Sequence, residues 1–563
     1  MDIPAKRKRV VIDLDEWEAA RSRRSTSDVH QAAWGGSQPE VIDPEEWEAS
    51  RRKRNLSAAD LTGPPQTPSH KQDDHVIPSP FRLTRIPGLG DSANRDAVTL
   101  GDLVGDPSIT ELWEFNYLHD IPFLISHIDE SSRTSISVHV VHGFWKADDR
   151  RRTELERDAG RHPNVLLHTA HMPEMFGTHH CKMMILFRRN RSAQIIIHTA
   201  NMTPKDWNMM TNGVWASPLL ACLPNGTDPR LDTPGQIGTG SRFKHDMLAY
   251  LKAYERRGGA AFKHLVDRLL QFDFSLVRAA FVASVPGRHR FDESVPSMHR
   301  WGWPGLRRAL QAVPTSSDTS DGSAEIVIQV STISTLGPKD NWLRSCLLDT
   351  LVQSSSPAAR APRLRLVFPT VENIRRCVGG YSSGSLIVTK TQSKQQAKQL
   401  DYLRPMLCRW ASDSRVDTAK DSGRGPAAPH IKTYVRFSGS TIDWALLTSA
   451  NLSRQAWGER PGKSEHVRIA SWEVGVLVWP GILGGDQRSK MVAAFMSDTP
   501  RPTQAVAAPD SVAARGGVPF IGLRLPYSLP LQPYGASEQP WVSSLPHMEP
   551  DGEGRTWCPR PGV

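Results

Sequence analysis

Cysteine is scarce in this chain, and its six cysteines never form a Cys-x-x-Cys pair. This spacing argues against a zinc ribbon or a dense disulfide framework and favours a reducing compartment. The N-terminus lacks the apolar core of a secretory signal. The most apolar late stretch, residues 469–483, is too short to span a bilayer and is interrupted by Glu473. We therefore expect a soluble intracellular protein without a membrane partner.

Positive charge exceeds negative charge, with 69 Lys and Arg against 59 Asp and Glu and a net charge of +10. This excess favours an anionic partner, either nucleic acid or an acidic membrane surface, and charge alone does not choose between them. The apolar fraction of 39% can supply real cores, while 43 prolines and 41 glycines indicate sizeable irregular segments. A length of 563 residues suits two large domains with a tail.

Residues 1–85 are rich in charge, serine and proline, which predicts a disordered regulatory tail. The tail contains a repeat at an offset of 30, Val11–Arg24 and Val41–Arg54. Its first copy resembles a SUMO-interacting strand, so it is either a docking peptide for SUMO-modified proteins or a solvated duplicated stretch. The basic clusters Lys6–Arg9 and Arg51–Arg54 are typical of nuclear import, and we expect the protein in the nucleus.

Strand and helix patterns alternate after the tail, which predicts an α/β fold in both halves. The predicted strands are Ser135–Gly143, Gln194–His198, Glu325–Val330, Leu364–Phe368 and Trp444–Thr448. The predicted helices are Phe243–Tyr254, His264–Phe272, Asn341–Val352 and Leu400–Trp410. We place one domain at residues 86–285 and a second at residues 286–563.

A four-residue pattern occurs twice with the same spacings, His to Lys 2, His to Asn 21 and Asn to Trp 6. The first copy is His180, Lys182, Asn201 and Trp207, and the second is His430, Lys432, Asn451 and Trp457. Agreement at this many positions indicates an internal duplication. Residues i and i+2 of a strand face the same side, so each histidine shares a face with its lysine.

Two facing copies would bring two imidazoles, two ammonium groups and two carboxamides into one site, a set that suits a phosphodiester. Lysine and asparagine can hold the phosphate oxygens, one imidazole can attack phosphorus, and the other can protonate the leaving oxygen and then activate water. The lysines supply the positive charge and acidic residues near the motifs are sparse, so we expect no metal and no cofactor. A lone His-x-Lys is usually a surface pair. A zinc site around His171, His179, His180 and Cys181 has no counterpart in the second half.

The paired motif resembles the phospholipase D superfamily, whose mark is His-x-Lys followed five residues later by Asp. Here Phe187 and Phe437 stand in place of that Asp. This departure, with the trailing Asn, resembles the tyrosyl-DNA phosphodiesterase family, as do several further segments. These are residues 79–86, 115–117, 176–184, 198–202, 369–373, 430–434, 448–453 and 472–476. The resemblance covers roughly residues 79 to 560.

The resemblance implies two pseudo-twofold-related α/β/α sandwich domains with the site at their junction. By motif position, His180 is similar to the nucleophile and His430 to the general acid and base. The family's phosphate clamp matches Lys182, Asn201, Lys432 and Asn451. Glu473 matches the carboxylate that orients the nucleophile. Asn212 stands where the family usually has the glutamine that supports the other histidine, and whether this shorter amide reaches His430 stays open.

The resemblance also implies contacts with a DNA strand near a blocked 3′ end, single-stranded or nicked. Phe176 is similar to a base-stacking aromatic, with core packing beside the strand as the alternative. The family's phosphate cradle matches the hydroxyl-rich turn of Ser331, Thr332 and Thr335, and Tyr117 matches a wall of the adduct pocket. The implied substrate is the tyrosyl peptide remnant of a type IB topoisomerase on a DNA 3′ end, with related adducts, and we expect a monomer.

Two other functions compete with this interpretation. A nuclease or lipid-directed phosphodiesterase of the phospholipase D type predicts the missing Asp, and the lipid enzyme also predicts an apolar interfacial loop that this sequence lacks. An inactive scaffold that binds DNA ends and recruits SUMO-modified partners predicts the loss of a catalytic residue. All six residues of the two His-Lys-Asn sets are present.

Overall fold

Two β-sheets organise the part of the chain that the computed structural model describes, and residues 75–562 form one unit. The described ranges are 76–224, 233–291, 300–316, 324–356, 361–411, 420–460, 464–500 and 518–559. The tail repeat and both basic clusters lie outside the described residues.

Eight strands form the first sheet and ten form the second. The first comprises β2 (Arg82–Leu83), β3 (Ile109–Phe115), β4 (Ser137–His142), β5 (Val165–Thr169), β6 (Met183–Arg188), β7 (Ser192–His198), β9 (Gly213–Ala216) and β10 (Leu220–Ala221). The second comprises β1 (Val76–Ile77), β11 (Ala280–Ser284), β13 (Ala324–Gln329), β14 (Arg363–Val367), β15 (Leu407–Cys408), β17 (Thr433–Ser438), β18 (Thr441–Thr448), β20 (Glu473–Val478), β21 (Lys490–Ala494) and β22 (Phe520–Arg524). Two small ribbons pair β8 (Met210–Thr211) with β16 (Ala428–Pro429) and β12 (Gly287–Arg290) with β19 (His466–Ile469).

The two sheets share one strand order. In the first, β9, β7, β6 and β3 follow one another antiparallel, and β4 and β5 then continue parallel. In the second, β20, β18, β17 and β13 are antiparallel, and β14 and β15 continue parallel. The hairpins β6–β7 and β17–β18 are therefore equivalent, and each lies between the lysine and the asparagine of one copy of the motif. The α/β class predicted from the sequence is confirmed.

Helices cover the sheets on both sides. They are α1 (Leu100–Val104), α2 (Ile121–Ser126), α3 (Arg150–Ala159), α4 (Pro204–Asn208), α5 (Gly240–Leu270), α6 (Trp303–Leu310), α7 (Asp349–Leu351), α8 (Val371–Arg375), α9 (Gly380–Ser383), α10 (Lys394–Leu403), α11 (Arg454–Trp457) and α12 (Pro480–Gly484). A π-helix spans Leu343–Leu348, and 3-10 turns span Gly384–Leu386 and Arg404–Met406. The long α5 is broken at Gly259, whose φ of 61° is non-helical.

Side-chain alternation along the central strands divides the core. On β6, Ile185 and Phe187 point into a central core that both sheets share with α5, whereas Leu186 packs in the outer core beneath α1–α3. On β18, Leu447 lies in the central core and Leu446 in the outer core beneath α6. Both faces of these strands are buried, so their sequences read as continuous apolar runs.

Two predicted boundaries differ from the structure. Strands β1 and β2 lie within the segment assigned to the tail, because Phe81 and Leu83 are buried in the central core. Strand β11 lies before the boundary at residue 285 but pairs antiparallel with β20, so it belongs to the second sheet. At both ends of the first half, a strand therefore belongs to the second sheet: β1 at the start and β11 at the end.

The predicted helix Leu400–Trp410 is wrong beyond Leu403, where α10 ends. Pro405 follows, and proline cannot continue an α-helix because it lacks the backbone N–H. The chain then forms the short strand β15. Across the described ranges, no helix combines the length and the apolarity that a bilayer crossing requires.

Histidines in and beside the first sheet are buried without charge. Burial lowers the pKa of His142, His179 and His198 to about 3, and burial together with the neighbouring His139 lowers that of His168 to about 4. These imidazoles are neutral in the folded protein, while an unfolded chain would protonate them below about pH 6.5.

We expect acid to destabilise the fold through these histidines. Because their pKa is lower in the folded state, the unfolded chain binds more protons as the pH falls below 6.5, and unfolding becomes easier. The free energy of unfolding should drop by at least about 3 kcal/mol between about pH 7 and pH 5, measured by urea denaturation. His142→Asn should reduce this dependence, and a flat profile in the wild type would contradict the assignment.

Candidate active site

Each His-x-Lys segment lies immediately before its strand rather than within it, since β6 begins at Met183 and β17 at Thr433. Backbone hydrogen bonds nevertheless hold both segments in place. The His180 amide donates to the Trp472 carbonyl at 3.0 Å, and the His430 amide donates to the Thr211 carbonyl at 2.9 Å. Each histidine is therefore anchored to the other half of the molecule.

An acceptor from the opposite half holds the ring of each histidine. Nδ1 of His180 lies 2.9 Å from Oε2 of Glu473, and Nδ1 of His430 lies 3.2 Å from Oδ1 of Asn212. Asn212 therefore reaches His430 directly. It occupies the position equivalent to Glu473, because His198 pairs with Val214 and Thr448 pairs with Gly475 in the two sheets.

A hydroxyl supports each acceptor in the same way. Thr199 donates to Asn212 Oδ1 at 2.9 Å, and Ser449 donates to Glu473 Oε2 at 2.5 Å. The duplication thus extends to the groups behind the histidines, with an amide in one half and a carboxylate in the other.

Asp206 is a site residue that the sequence reasoning missed. Its Oδ1 lies 3.0 Å from Nδ1 of His430 and also accepts from Asn201, at 2.9 Å from the backbone N and 3.2 Å from Nδ2. The second copy has Ala456 at the equivalent position, so comparison of the two copies could not reveal it. Its place five residues after Asn201, in a short turn of helix, was the available signal.

Both lysines are buried and interact electrostatically across the junction. Burial lowers the pKa of Lys182 to about 8, and burial with the nearby Lys182 holds the pKa of Lys432 well below its ordinary value. Lys182 Nζ donates to the His180 carbonyl at 3.2 Å, and Lys432 Nζ donates likewise to the His430 carbonyl. The charges of both copies therefore act within one cluster.

The two clamp asparagines are oriented differently. Asn451 Oδ1 accepts from the Ser331 amide at 3.2 Å, the Ser331 hydroxyl at 3.2 Å and the Thr332 amide at 2.9 Å. These donors fix the amide oxygen on their side, so the NH2 group faces away from them. Asn201 donates its NH2 to Asp206, and its own Oδ1 is buried without a partner among the described residues.

The predicted phosphate cradle is only partly open. Ser331 is buried and its hydroxyl is engaged with Asn451, whereas Thr332 is half-buried and Thr335 is exposed. Ser331 thus acts on the clamp residue Asn451 in this structure, and only the two threonines offer surface to a ligand.

The two predicted aromatic contacts lie in loops that follow two strands of the first sheet, Tyr117 after β3 and Phe176 after β5. The Tyr117 ring centroid is 5.8 Å from that of His180, and its hydroxyl accepts from Arg151 at 3.3 Å. Phe176 is 44% exposed, which rules out core packing for its ring. Its φ of 62° is uncommon for a residue other than glycine. The next residue, Gly177, lies so close to the second half that a Cβ there would be 2.0 Å from the Ala470 carbonyl oxygen.

Both histidines are neutral in the free site. Burial lowers the pKa of His180, and burial with the Lys432 charge lowers the pKa of His430 to about 3. Since Nδ1 of each ring donates to its acceptor, Nε2 carries the lone pair. His180 is thus ready to attack, whereas His430 must gain a proton before it can donate one. Throughout the described ranges, no group of three or more His, Cys, Asp or Glu side chains could hold a metal ion.

Comparisons with known proteins agree with this geometry. A family model described as tyrosyl-DNA phosphodiesterase matches residues 80–535. A probable tyrosyl-DNA phosphodiesterase of Schizosaccharomyces pombe is 29% identical over 551 residues, covering 87% of this chain and 97% of that protein. Tyrosyl-DNA phosphodiesterase 1 of Arabidopsis thaliana is 28% identical, covering 85% of this chain and 77% of that protein. The crystal structure of the yeast tyrosyl-DNA phosphodiesterase shares the fold, with a TM-score of 0.56, 19% identity, and coverage of 82% of this chain and 98% of that one.

We expect anion binding at this site to take up protons. A bound oxyanion favours the charged forms of His430, Lys182 and Lys432, whose pKa values are lowered in the empty site. Affinity for tungstate should therefore fall as the pH rises from about 6.5 to 9. Isothermal titration calorimetry in buffers of different ionisation enthalpy measures the uptake. Lys432→Met should weaken binding and reduce its pH dependence, and an affinity independent of pH would contradict the arrangement.

Proposed function

Because the chain belongs to the tyrosyl-DNA phosphodiesterase family, we propose that it is a DNA-repair phosphodiesterase that removes tyrosyl peptides and related adducts from DNA 3′ ends. The tyrosyl peptides are those that type IB topoisomerases leave behind. The observation that carries the proposal is the convergence of both His-Lys-Asn sets on one buried cluster, with Glu473 on Nδ1 of His180.

The first step forms a covalent enzyme–DNA intermediate. Nε2 of His180 attacks phosphorus, a P–N bond forms, and the bond from phosphorus to the tyrosyl oxygen breaks. His430, protonated when the anionic substrate is bound, gives its Nε2 proton to that oxygen. Glu473 accepts a hydrogen bond from Nδ1 of His180 and stabilises the positive charge that develops on the His180 ring.

The second step returns the enzyme to its starting state. The now neutral His430 takes a proton from water, whose oxygen attacks phosphorus and displaces His180. The products are a DNA 3′-phosphate and free His180. The clamp residues stabilise the added charge on the phosphate oxygens in both steps, because their donors are already in place before reaction. These residues are Lys182, Lys432, Asn201 and Asn451.

In this proposal, different residues contact the DNA strand and the adduct. Phe176 stacks on a base near the 3′ end, a contact that contributes about 1–3 kcal/mol. Thr332 and Thr335 hold a backbone phosphate, and Tyr117 lines the space for the adduct. A single-stranded or nicked end fits this arrangement because an exposed ring can stack only on a base that is free to leave its neighbours.

We also propose that the enzyme acts as a monomer in the nucleus, where its substrate is formed. The basic clusters Lys6–Arg9 and Arg51–Arg54 support import. The segment around Val11 and Ile12 would recruit SUMO-modified proteins through strand addition.

The function is tested with an oligonucleotide that carries a 3′-phosphotyrosine. The wild type should release a 3′-phosphate and free tyrosine. His180→Ala should form no covalent species, and His430→Ala should accumulate a protein–DNA adduct visible on a denaturing gel, because water activation is lost. Turnover of His430→Ala at the wild-type rate would contradict the roles. Hydrolysis of phosphatidylcholine vesicles without cleavage of the oligonucleotide would favour the lipid-directed alternative.

Activity should persist in EDTA, since Lys182 and Lys432 supply the positive charge at the phosphate. Initial rates on the same oligonucleotide with and without chelator are the measurement. A loss of more than tenfold, restored by a divalent cation, would overturn the assignment of that charge to the lysines.

A further inference from the structure

Two different side chains converge on one nitrogen of His430. Oδ1 of Asp206 lies 3.0 Å from Nδ1 and Oδ1 of Asn212 lies 3.2 Å from it, and both residues are buried. We propose that Asp206 is a positioning residue that, beside the hydrogen-bond acceptor Asn212, orients His430 and stabilises its protonated form. The inference rests on the proposed acid-base role of His430.

The reason for a second acceptor lies in the difference between the halves. The position that supplies Glu473 to His180 supplies only the neutral amide of Asn212 to His430. An amide oxygen stabilises an imidazolium less than a carboxylate does, because it carries no net charge. Asp206 adds the missing charge from a neighbouring position of the same half.

Asp206 is held as a fixed anion. Its Oδ2 accepts from the Thr203 hydroxyl at 2.9 Å, and its Oδ1 accepts from both nitrogens of Asn201. Burial alone would raise the pKa of Asp206, but the charge and hydrogen bond of His430, with those from Asn201 and Thr203, lower it to about 2. The carboxylate therefore stays ionised while His430 changes its charge.

The charged groups around His430 make this anion decisive. Lys432 from its own segment and Lys182 from the opposite half both disfavour protonation of the ring, and Asp206 opposes them. Without Asp206, His430 would face two ammonium groups with only a neutral acceptor. Its ring would then not hold the proton that the tyrosyl oxygen has to receive.

The same oxygen also links the acid-base group to the phosphate clamp. Oδ1 of Asp206 accepts from Nδ2 of Asn201 and lies 3.0 Å from Nδ1 of His430. One amide hydrogen of Asn201 is thereby directed at Asp206, which leaves the other hydrogen for the phosphate. Asp206 thus fixes the relative placement of a clamp donor and the general acid.

Leaving-group dependence separates this role from a purely structural one. Asp206→Asn keeps the shape and removes the charge. In single-turnover experiments, the rate of adduct formation should fall at least tenfold with a 3′-phosphotyrosyl oligonucleotide, whose leaving oxygen needs a proton. It should fall less than about threefold with the 3′-p-nitrophenyl ester, whose leaving group departs as a stable anion. An equal loss with both substrates would overturn the proposal.

A spectroscopic measurement does not depend on the substrate. With 15N-labelled histidine and bound tungstate, the titration midpoint of His430 should fall by about one pH unit or more in Asp206→Asn. An unchanged midpoint would contradict the role. If the wild type fails to cleave the 3′-phosphotyrosyl oligonucleotide, the proposed function is wrong. The titration still tests whether Asp206 stabilises the protonated form of His430.

Two further variants complete the test. Asp443→Asn removes another buried carboxylate, which pairs with Arg436 at 3.0 Å on the β17–β18 hairpin, and should leave the ratio of the two rates unchanged. Asn212→Asp adds a carboxylate beside His430. Combined with Asp206→Asn, it should restore the ratio of the two single-turnover rates. If the double variant does not fold, Asn212→Asp alone should raise the titration midpoint of His430. A midpoint that does not rise would count against the proposal.

Discussion

The site depends on hydrogen bonds that cross between the two halves. His180 is bound by Glu473 and the Trp472 carbonyl, and His430 by Asn212 and the Thr211 carbonyl. Each half therefore supplies a histidine and the acceptor for the other histidine. Neither half contains a complete reacting group, so the central core that joins the sheets through α5 is as necessary to the chemistry as the motif residues.

Burial at this junction gives the charged groups their properties. Lys182 and Lys432 are both buried, and burial lowers the pKa of each, with the Lys182 charge lowering that of Lys432 further. An incoming phosphodiester supplies the negative charge that this pair lacks, so binding and protonation are coupled. Glu473 and Asp206 lie against Nδ1 of the two histidines, and they also oppose the effect of burial on the pKa of the lysines.

Much of the fold followed from local patterns. The apolar run Gln194–His198 predicted the buried strand β7, the pattern of Trp444–Thr448 predicted β18, and the repeated spacing predicted equivalent backbone positions in the two copies. The predicted helix Leu400–Trp410 is too long because Pro405 prevents α10 from continuing. The membership of β1 and β11 in the second sheet was not predictable from local sequence, since their partners β22 and β20 lie hundreds of residues away.

The sequence by itself determined the set of residues on which the proposed chemistry rests, because a repeated spacing of His, Lys and Asn is visible in one dimension. Tertiary structure alone decided how those groups are held. Asp206 has no counterpart in the second copy, and it meets His430 only where the halves pack. The hydrogen bonds of Asn212 to His430 and of Ser331 to Asn451 likewise form only in the folded protein, because they join elements that are remote in the chain.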